Sequence, residues 1–443
     1  MPECKLRGVG RYNGWLSTQK KVLVFPCGSE IGLEIQRALR FSTHFELLGA
    51  SSVGSNHGKY VYENYIEGLP FVDAQGFLEA LNSVIDEHRV DFVFPAHDSV
   101  VLALAENAAA LRACYVGSSA ETCRICRSKR ATYRHMADRV RIPHMFDPGA
   151  RPLAFPVFLK PDVGQGSKGV RRANSADEVA FYLRQDPSLL ILEHLPGAEY
   201  TVDCFTDRCG VLRFAGARER TRILNGISVD TSPVEGPEYR VIAETINSAL
   251  RFRGAWFFQL KRTTEGELAL MEIAPRVSGS MALYRNLGVN YAALALFDQM
   301  GQDVALLRND YPIRMDRALI SRYRLDLHYD NVYIDLDDTV IRNGQVNPLA
   351  AAFLYQCRNR GVRLHLLSRH AGDLDSTLRR LALDPLFDTV VHVPDSHCKS
   401  EYIHGGSAIF IDDSFAERRR VHERLGIPTF AADALESLIQ GGL

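Results

Sequence analysis

The sequence predicts a multidomain protein of mixed architecture, with α/β domains at both ends and an α+β domain between them. The chain has 443 residues, which is too long for one ordinary hydrophobic core. Short apolar segments alternate with helical segments over residues 21–117 and again over residues 331–443, as in parallel sheets. Between them, residues 118–325 contain longer strand pairs, which favour a largely antiparallel sheet.

The composition is that of a soluble globular protein in a reducing compartment. Hydrophobic residues make up 46% and charged residues 24%, and the formal net charge of −1 gives no reason to expect nucleic acid or an anionic membrane as a partner. Nine cysteines, an odd number, do not suggest a disulfide framework. No apolar run reaches the roughly 18 residues that span a bilayer. Residues 1–20 lack an apolar signal core, so we expect a poorly ordered lead-in and a cytoplasmic location.

The first region predicts a strand, a glycine-containing turn and a helix in "KKVLVFPCGSEIGLEIQRALR". Further strands are predicted in "FELLGASS" and "VDFVFPAH", and a helix in "SVVLALAENAAALRAC". His97 and Asp98 follow one of these strands. They could contact a substrate, or Asp98 could cap the next helix.

A glycine-rich loop follows a strand in the middle region. The segment "FPVFLKPDVGQGSKGV" places Lys160 at the end of an apolar strand, with Gly164, Gly166 and Gly169 in the loop. Glycines let backbone N–H groups approach phosphate oxygens, and a lysine adds positive charge. A simple hairpin turn is the alternative. Lys129 begins a predicted helix upstream.

Charged side chains also accompany the strands that follow. The segment "ILEHLPGAEYTVDCF" predicts a strand that ends at Glu193, a Pro-Gly turn, and a second, paired strand that carries Glu199. In "GARERTRILNGIS", Arg218, Arg220 and Arg222 share one face if the segment is a strand. Such a face suits a carboxylate or a phosphate, or it is a solvated basic surface.

A predicted hairpin near the end of this region brings two oxygen ligands together. In "FFQLKRTTEGELALMEIAPRVSGS", Gln259 lies opposite Glu272, and Arg276 follows the second strand. Oxygen ligands of this kind suit Mg²⁺.

From residue 21 to 325, the order of these features resembles the ATP-grasp family, and most of all the synthetase units of the carbamoyl phosphate synthetase large subunit. The resemblance implies an N-terminal αβ pre-ATP-grasp domain over residues 21–117 and an ATP-grasp fold over 118–325, with ATP and Mg²⁺ as cofactors. It implies that Glu193 lies by the adenine and Glu199 by the ribose. The implied site residues are Lys129, Lys160, Gly164, Gly166, Ser167, Gly169, Glu193 and Glu199 for ATP, Gln259 and Glu272 for the metal, and Arg218, Arg220 and Arg276 for catalysis.

The implied chemistry is phosphorylation of a carboxylate by ATP, followed by displacement of the acyl phosphate by an amine. One position departs from the family, which reads Glu-x-Asn-Pro-Arg where this chain reads "EIAPR", so Ala274 supplies no ligand atom. Water readily completes a magnesium shell, and we expect a working ligase; an intact fold with a decayed site is the alternative. No glutaminase module or second synthetase half is evident, which argues against carbamoyl phosphate synthesis itself.

The last region concentrates carboxylates where a predicted strand ends. The segment "VYIDLDDTVI" places Asp335, Asp337 and Asp338 directly after an apolar run. Carboxylates this close repel one another unless a cation lies between them. An acidic turn that caps the next helix is the alternative. Later strands end at Ser368 and just before Asp412, and in open α/β sheets such ends bind ligands.

With Lys399, this order resembles the haloacid dehalogenase (HAD) phosphatase superfamily over residues 331–443. The resemblance implies that Asp335 is the nucleophile that becomes an aspartyl phosphate and that Asp337 is the general acid/base. It implies that Ser368 and Lys399 bind phosphate. The implied magnesium ligands are Asp335, Asp337 and Asp412. Only 33 positions separate Asp335 from Ser368 and 31 separate Ser368 from Lys399, so we expect a capless HAD-like Rossmannoid domain.

The sequence as a whole predicts a bifunctional enzyme of small-metabolite biosynthesis, a carboxylate–amine ligase joined to a phosphatase. The expected partners are a small-molecule carboxylate, an amine and a phosphorylated metabolite. Neither nucleic acid nor a membrane is required. The oligomeric state is not determined by the sequence, and a homodimer is one possibility. Two alternatives remain: a non-catalytic ATP-binding sensor that regulates an active phosphatase, and a ligase with a structural HAD domain.

Overall fold

The structure is a computed structural model that describes residues 19–147, 155–164, 166, 168–404 and 406–439. These residues form two compact units, one up to residue 319 and the other from residue 320 onwards. The predicted lead-in over residues 1–20 lies almost entirely outside the described residues.

The first unit begins with a five-stranded parallel sheet, as the alternation of strands and helices predicts. Its elements are β1 Lys20–Phe25, α1 Glu30–Leu39, β2 Phe45–Ser51, β3 Asn64–Glu67, α2 Phe77–His88, β4 Phe92–Pro95, α3 Asp98–Glu106 and β5 Cys114–Tyr115. The strand order is β3–β2–β1–β4–β5. Val22, Leu23 and Val24 are fully buried, as expected for a strand that is covered on both faces.

A small antiparallel sheet follows two short helices. Its elements and these helices are α4 Ala120–Arg127, α5 Lys129–Met136, β6 Met145–Phe146, β7 Val157–Lys160, β8 Arg171–Ala173, α6 Ala176–Gln185 and β9 Leu190–Glu193. The strand order is β6–β9–β7–β8. Helix α6 begins only at residue 176, because residues 171–173 pair with β7 and Ser175 caps the helix by accepting from the Glu178 N–H.

A six-stranded antiparallel sheet completes the first unit. Its elements are β10 Glu199–Thr206, β11 Leu212–Leu224, β12 Ile227–Val234, α7 Pro237–Ala249, β13 Gly254–Arg262, β14 Leu268–Ala274, α8 Ala282–Asn286, α9 Tyr291–Gln299 and β15 Met315–Asp316. The strand order is β14–β13–β10–β11–β12–β15. The predicted hairpin of β13 and β14 is confirmed, with Gln259 opposite Glu272.

The predicted pairing of "LLILEHL" with "EYTVDCFT" is wrong. These segments are β9 and β10, which belong to different sheets, and β10 lies between β11 and β13. The turn between them bonds to β13 instead, because Gly197 N donates to Arg262 O and Arg262 N donates to Ala198 O. These two hydrogen bonds fix the turn through which the chain passes from the small sheet to the six-stranded sheet.

The second unit is built on a five-stranded parallel sheet. Its elements are β16 Asn331–Ile334, β17 Ile341–Arg342, β18 Gln345–Val346, α10 Pro348–Asn359, β19 Arg363–Ser368, α11 Leu374–Arg380, β20 Thr389–His392, β21 Ala408–Ile411, α12 Phe415–Leu425, β22 Thr429–Phe430 and α13 Leu435–Leu438. The order is β20–β19–β16–β21–β22, and β17 and β18 form a separate two-stranded hairpin that the spacing did not predict. The carboxyl ends of β16, β19 and β21 are therefore neighbours along one edge of the sheet.

None of the helices in the described part of the chain combines the length and the apolar composition needed to cross a lipid bilayer.

The largest aromatic side chain in the core of the six-stranded sheet is that of Trp256. Its ring is fully buried and stacks on Phe252 at 4.0 Å between centroids. Its indole N–H donates to Thr206 Oγ1 at 2.8 Å. Trp256 therefore combines a large buried area with a satisfied polar atom.

We expect Trp256→Ala to lower the free energy of unfolding by about 3–5 kcal/mol, because it opens a large cavity and leaves Thr206 without its donor. Guanidinium denaturation followed by circular dichroism measures this change. Phe181→Ala is the control, since the Phe181 ring is 49% exposed and its loss should cost less than about 1 kcal/mol. Equal effects of the two variants would contradict the assigned core.

Candidate functional site

A cleft of about 960 Å³ in the first unit collects residues from all three of its sheets. Ser29 and His97 reach it from the carboxyl ends of β1 and β4, where ligands commonly bind in open parallel sheets. The glycine loop after β7 and one face of the six-stranded sheet form other walls.

A row of polar side chains crosses the six-stranded sheet at one level of this cleft. Glu272 on β14 lies opposite Gln259 on β13, Gln259 lies opposite Thr201 on β10, and Thr201 lies opposite Arg218 on β11. Directly opposed residues of antiparallel strands point to the same face, so these four side chains share the cleft wall. All four line the cleft.

Two arginines predicted on one strand face are buried and paired with carboxylates. Arg218 Nε donates to Asp203 at 2.7 Å, and both side chains are almost fully buried. Arg220 Nε lies 3.1 Å from Glu199, and its Nη2 donates to Gly226 O at 2.8 Å. The prediction that Arg222 shares their face is wrong, because the register shifts between residues 220 and 222 and the exposed Arg222 pairs with Asp316.

Both predicted phosphate-binding lysines lie close to the polar row, Lys160 buried and Lys129 partly buried. Lys129 starts α5 and Lys160 ends β7. Burial lowers the pKa of Lys129, and it lowers the pKa of Lys160 to about 8, although the nearby Glu272 carboxylate opposes both shifts. Lys160 is only 8% exposed, and such a buried ammonium gains most from an anionic ligand.

The predicted glycine loop lies at the cleft with Gly164, Gly166 and Gly169 among the lining residues. Gly166 and Gly169 have φ of 62° and 73°, a conformation that favours glycine. Arg127 Nη1 donates to Gly164 O at 3.4 Å. The predicted residue Ser167 lies outside the described residues.

Arg276 is held at the cleft by a partner at the start of helix α3. Its Nε and Nη2 donate to the two carboxylate oxygens of Asp98, at 2.6 and 2.9 Å. Burial opposes the charged form of Asp98, but the Arg276 guanidinium outweighs it and lowers the pKa of that carboxyl. Asp98 begins α3, so the ion pair joins α3 to the segment after β14.

The two acids predicted for the adenosine portion of ATP have protein partners. Glu193, at the end of β9, accepts from Arg141 Nη2 at 2.7 Å and from His144 N at 2.9 Å. Glu199, at the start of β10, pairs with Arg220 and lies 3.6 Å from Lys261 Nζ. Their nucleotide roles stay predictions.

Sequence reasoning missed Thr201 and Ser228, which line the cleft. Thr201 Oγ1, Arg218 Nη1 and Ser228 Oγ are buried and have no hydrogen-bond partner among the described residues. Unsatisfied buried polar atoms are rare in native proteins, so their position at a cleft wall fits a polar ligand. Only the register of β10 with β11 and β13, which the sequence does not specify, would have found Thr201.

The second unit gathers its predicted residues at one edge of its sheet. Asp335 follows β16, Ser368 ends β19 and Asp412 follows β21. Lys399 Nζ donates to Asp335 and, at 2.6 Å, to Asp412. Carboxylate oxygens of Asp335, Asp412 and Asp413 all lie within 4.8 Å of one another, an arrangement that suits a divalent cation.

Charges in this cluster are strongly coupled. Burial raises the pKa of Asp335 to about 7, with Lys399 opposing and Asp412 adding to the shift. Burial opposes the charged form of Lys399, but Asp335 and Asp412 outweigh it and raise the pKa of the ammonium. Two buried carboxylates that share one lysine retain an excess of negative charge, which a bound cation would neutralise.

Asp337 does not join this cluster in the structure. Its carboxylate lies 3.0 Å from His370 Nδ1 and 3.5 Å from Ser368 Oγ. Its predicted acid/base role and its predicted metal contact stay predictions. His370, which follows Ser368 by two residues, was not singled out in the sequence.

Comparisons with known proteins identify the fold of the first unit. Residues 185–318 match the family described as "ATP-grasp in the biosynthetic pathway with Ter operon". The D-alanine–D-alanine ligase of Thermotoga petrophila is 29% identical over 150 residues, which are 30% of this chain and 50% of that protein. The chain thus spans about half the length of this curated relative.

Solved structures resemble the chain at low sequence identity. N5-carboxyaminoimidazole synthetase from Staphylococcus aureus, complexed with ADP, has a TM-score of 0.56 at 14% identity and covers 70% of this chain and 84% of its own. The biotin carboxylase domain of Hydrogenobacter thermophilus 2-oxoglutarate carboxylase, with MgADP, ADP and bicarbonate, has a TM-score of 0.53 at 13% identity and covers 64% and 70%.

The predicted ATP-grasp fold within a mixed α/β multidomain chain is confirmed by these likenesses. ATP-grasp enzymes bind ATP and Mg²⁺. The finer likeness to carbamoyl phosphate synthetase and the HAD resemblance of the second unit stay predictions.

The lowered pKa of Lys160 predicts a pH-dependent affinity for ATP. Only the protonated lysine attracts phosphate, so above about pH 8 the protein must take up a proton to bind ATP. The affinity of the wild type should fall as pH rises through this value, by up to about ten-fold per pH unit. Isothermal titration calorimetry with ATP between about pH 7 and pH 9.5 measures it.

Lys160→Arg is the matched control, because an arginine keeps its charge over this range. Its affinity should change much less with pH. A wild type and a Lys160→Arg variant with the same pH profile would contradict the assignment of the titrating group to Lys160.

Proposed function

We propose that the first unit is an ATP-dependent ligase that joins the carboxylate of one small molecule to the amine of another. The observation that carries this proposal is the cleft itself. It brings the glycine loop and Lys129 together with the Gln259–Glu272 pair and Arg276, on an ATP-grasp fold. The groups that we propose to bind phosphate, metal and a carboxylate therefore line one volume.

The proposed reaction has two steps. A carboxylate oxygen of the substrate attacks the γ-phosphorus of ATP, and the bond to ADP breaks, which gives an acyl phosphate and ADP. The amine nitrogen then attacks the acyl carbon, inorganic phosphate leaves, and the nitrogen loses a proton. Lys129, Lys160 and the backbone N–H groups of the glycine loop neutralise and orient the phosphates.

Gln259 and Glu272 would hold magnesium, which supplies further neutralisation of phosphate charge when bound. Their side chains fit this role, since they are directly opposed on neighbouring strands and offer oxygen ligands. Ala274 also lines the cleft and offers no ligand atom, so water would complete the metal shell. Arg276 would bind the carboxylate of a substrate.

The name of the Thermotoga relative, D-alanine–D-alanine ligase, supports amino acids as a first choice of substrates. We expect ADP release only when a carboxylate and an amine are both present, which a coupled assay over a panel of amino acids measures. Lys129→Ala should reduce release by about 100-fold or more, because it removes phosphate charge neutralisation. Lys21→Ala changes a partly exposed surface lysine and is the control.

Ala274→Asn separates the ligase from the alternative of an ATP-binding sensor. A ligase that lacks one protein ligand should release ADP as fast as the wild type or faster once the amide is restored. A sensor should bind ATP and release no ADP with any substrate pair. If the wild type binds ATP but releases no ADP with any substrate pair, the ligase proposal is refuted. ATP binding is therefore measured in parallel with ADP release.

We infer that the second unit is a magnesium-dependent phosphomonoesterase that acts through an aspartyl phosphate, in the same small-metabolite pathway as the ligase. This role is supported by four side chains that lie together at one edge of a parallel sheet, those of Asp335, Ser368, Lys399 and Asp412. The acidic group of Asp335, Asp412 and Asp413 fits a divalent cation. Asp335 would attack phosphorus, while Lys399 and Ser368 would bind the phosphoryl oxygens.

Asp335→Asn should abolish magnesium-dependent hydrolysis of 4-nitrophenyl phosphate, because no other nucleophile replaces the carboxylate in the covalent step. Release of nitrophenolate measures the loss. Asp375→Asn, an exposed acid on α11, is the control and should keep wild-type activity. The phosphatase proposal is wrong if folded Asp335→Asn protein retains near-normal turnover.

A further inference from the structure

We propose that His370 positions the acid/base carboxylate of Asp337 in the second unit, an inference that rests on the phosphatase function proposed above. The motifs that suggested this function include Ser368 but not the histidine two residues later. His370 therefore adds a residue to the site that the resemblance does not supply.

The imidazole of His370 connects two polar groups. Its Nδ1 lies 3.1 and 3.0 Å from the two carboxylate oxygens of Asp337. Its Nε2 lies 3.0 Å from Thr377 Oγ1 on α11. The His370 side chain is only 17% exposed, so these partners account for both of its nitrogens in a largely buried setting.

For a neutral imidazole, the two contacts together determine which ring nitrogen carries the proton. A carboxylate oxygen that carries no proton only accepts hydrogen bonds, so Nδ1 carries the ring proton and donates to such an oxygen of Asp337. Nε2 then accepts from the Thr377 hydroxyl. Thr377 belongs to a helix, which gives the ring a fixed anchor.

The backbone around Asp337 is fixed by hydrogen bonds, but these bonds do not fix the direction of the side chain. The side chain therefore needs a partner of its own. Val340 N and Ile341 N both donate to Leu336 O, and residue 337 forms a β-bridge with residue 341. The Asp337 side chain, in contrast, is 46% exposed. Among the described residues, the hydrogen-bond partners of this carboxylate are the ring of His370 and, at 3.5 Å, Ser368 Oγ, so the closer contact with His370 sets its direction.

By orienting Asp337, His370 would contribute to both proton transfers of the proposed reaction. In the first step, Asp335 bonds to phosphorus as the bond to the leaving oxygen breaks, and that oxygen takes the proton of Asp337. In the second step, a water attacks phosphorus, Asp337 takes its proton, and the bond from phosphorus to Asp335 breaks to release phosphate. A carboxylate that points elsewhere would serve neither transfer well.

The test compares two substrates of nearly the same shape, phenyl phosphate and 4-nitrophenyl phosphate. Phenol is a much weaker acid than 4-nitrophenol, so its departure depends far more on a proton from Asp337. We expect His370→Leu to lower kcat/KM for phenyl phosphate by about 100-fold and for 4-nitrophenyl phosphate by less than about five-fold. Asp337→Asn, which removes the acid itself, sets the upper limit of this difference.

His370→Asn is the conservative variant, because its amide N–H can replace Nδ1 as a donor to Asp337. It should restore kcat/KM for phenyl phosphate to within about ten-fold of the wild type and keep kcat/KM for 4-nitrophenyl phosphate within about five-fold. If His370 had a purely structural role, His370→Leu would lower kcat/KM equally for both substrates. That result would overturn the proposal, and so would an unchanged kcat/KM for both substrates.

The outcomes also separate this inference from the function on which it rests. If the wild type hydrolyses both substrates and Asp335→Asn neither, an unchanged substrate ratio in His370→Leu refutes the role of His370 alone. If the wild type hydrolyses neither substrate with magnesium, the phosphatase proposal fails, and the role of His370 fails with it.

Discussion

The buried ion pair between Arg218 and Asp203 is the contact on which the large cleft depends. Both side chains are almost fully removed from water, so each charge requires the other, and the loss of one partner typically costs about 3–5 kcal/mol. The pair runs diagonally from β11 to β10, and it requires a register that keeps both side chains on the same face of the sheet. That register places Thr201 beside Arg218 and, through β13 and β14, brings Gln259 and Glu272 into the same row. A shift by one residue would turn this row away from the cleft.

Much of the fold could be predicted because the relevant signals are local. Apolar runs such as the one that contains Leu23 are followed by turns and helices, and this alternation defines both parallel sheets. Side chains that follow such strands, including Asp335 and Asp412, must lie at one sheet edge once the strands are parallel. The hairpin of β13 and β14 was predictable for a similar reason, whereas the opposition of Gln259 and Glu272 also depends on a register shift next to Gln259 that the hairpin loop does not specify.

The features that could not be predicted depend on contacts between distant residues. Asp98 and Arg276 are 178 positions apart, and only the packing of two sheets brings them together. The partner of Asp337 depends on how the loop after β19 turns, which periodicity does not specify. Arg222 follows the alternating pattern of its neighbours in sequence but not in space, because a register shift in the ladder changes the direction of its side chain. Strand pairing was misassigned where the turn between β9 and β10 bonds to a third strand.

The pairing of Arg276 with Asp98 also bears on how tightly the cleft can hold an acid. A carboxylate ligand that took the N–H groups of Arg276 now used by Asp98 would replace an ion pair that already exists, with two hydrogen bonds of 2.6 and 2.9 Å. The net gain is therefore the difference between two similar attractions, and the displaced Asp98 must find a new donor or be hydrated. Such an exchange limits affinity for the ground state while it leaves the guanidinium ordered and correctly oriented. Weak binding combined with good orientation favours turnover over retention of the ligand.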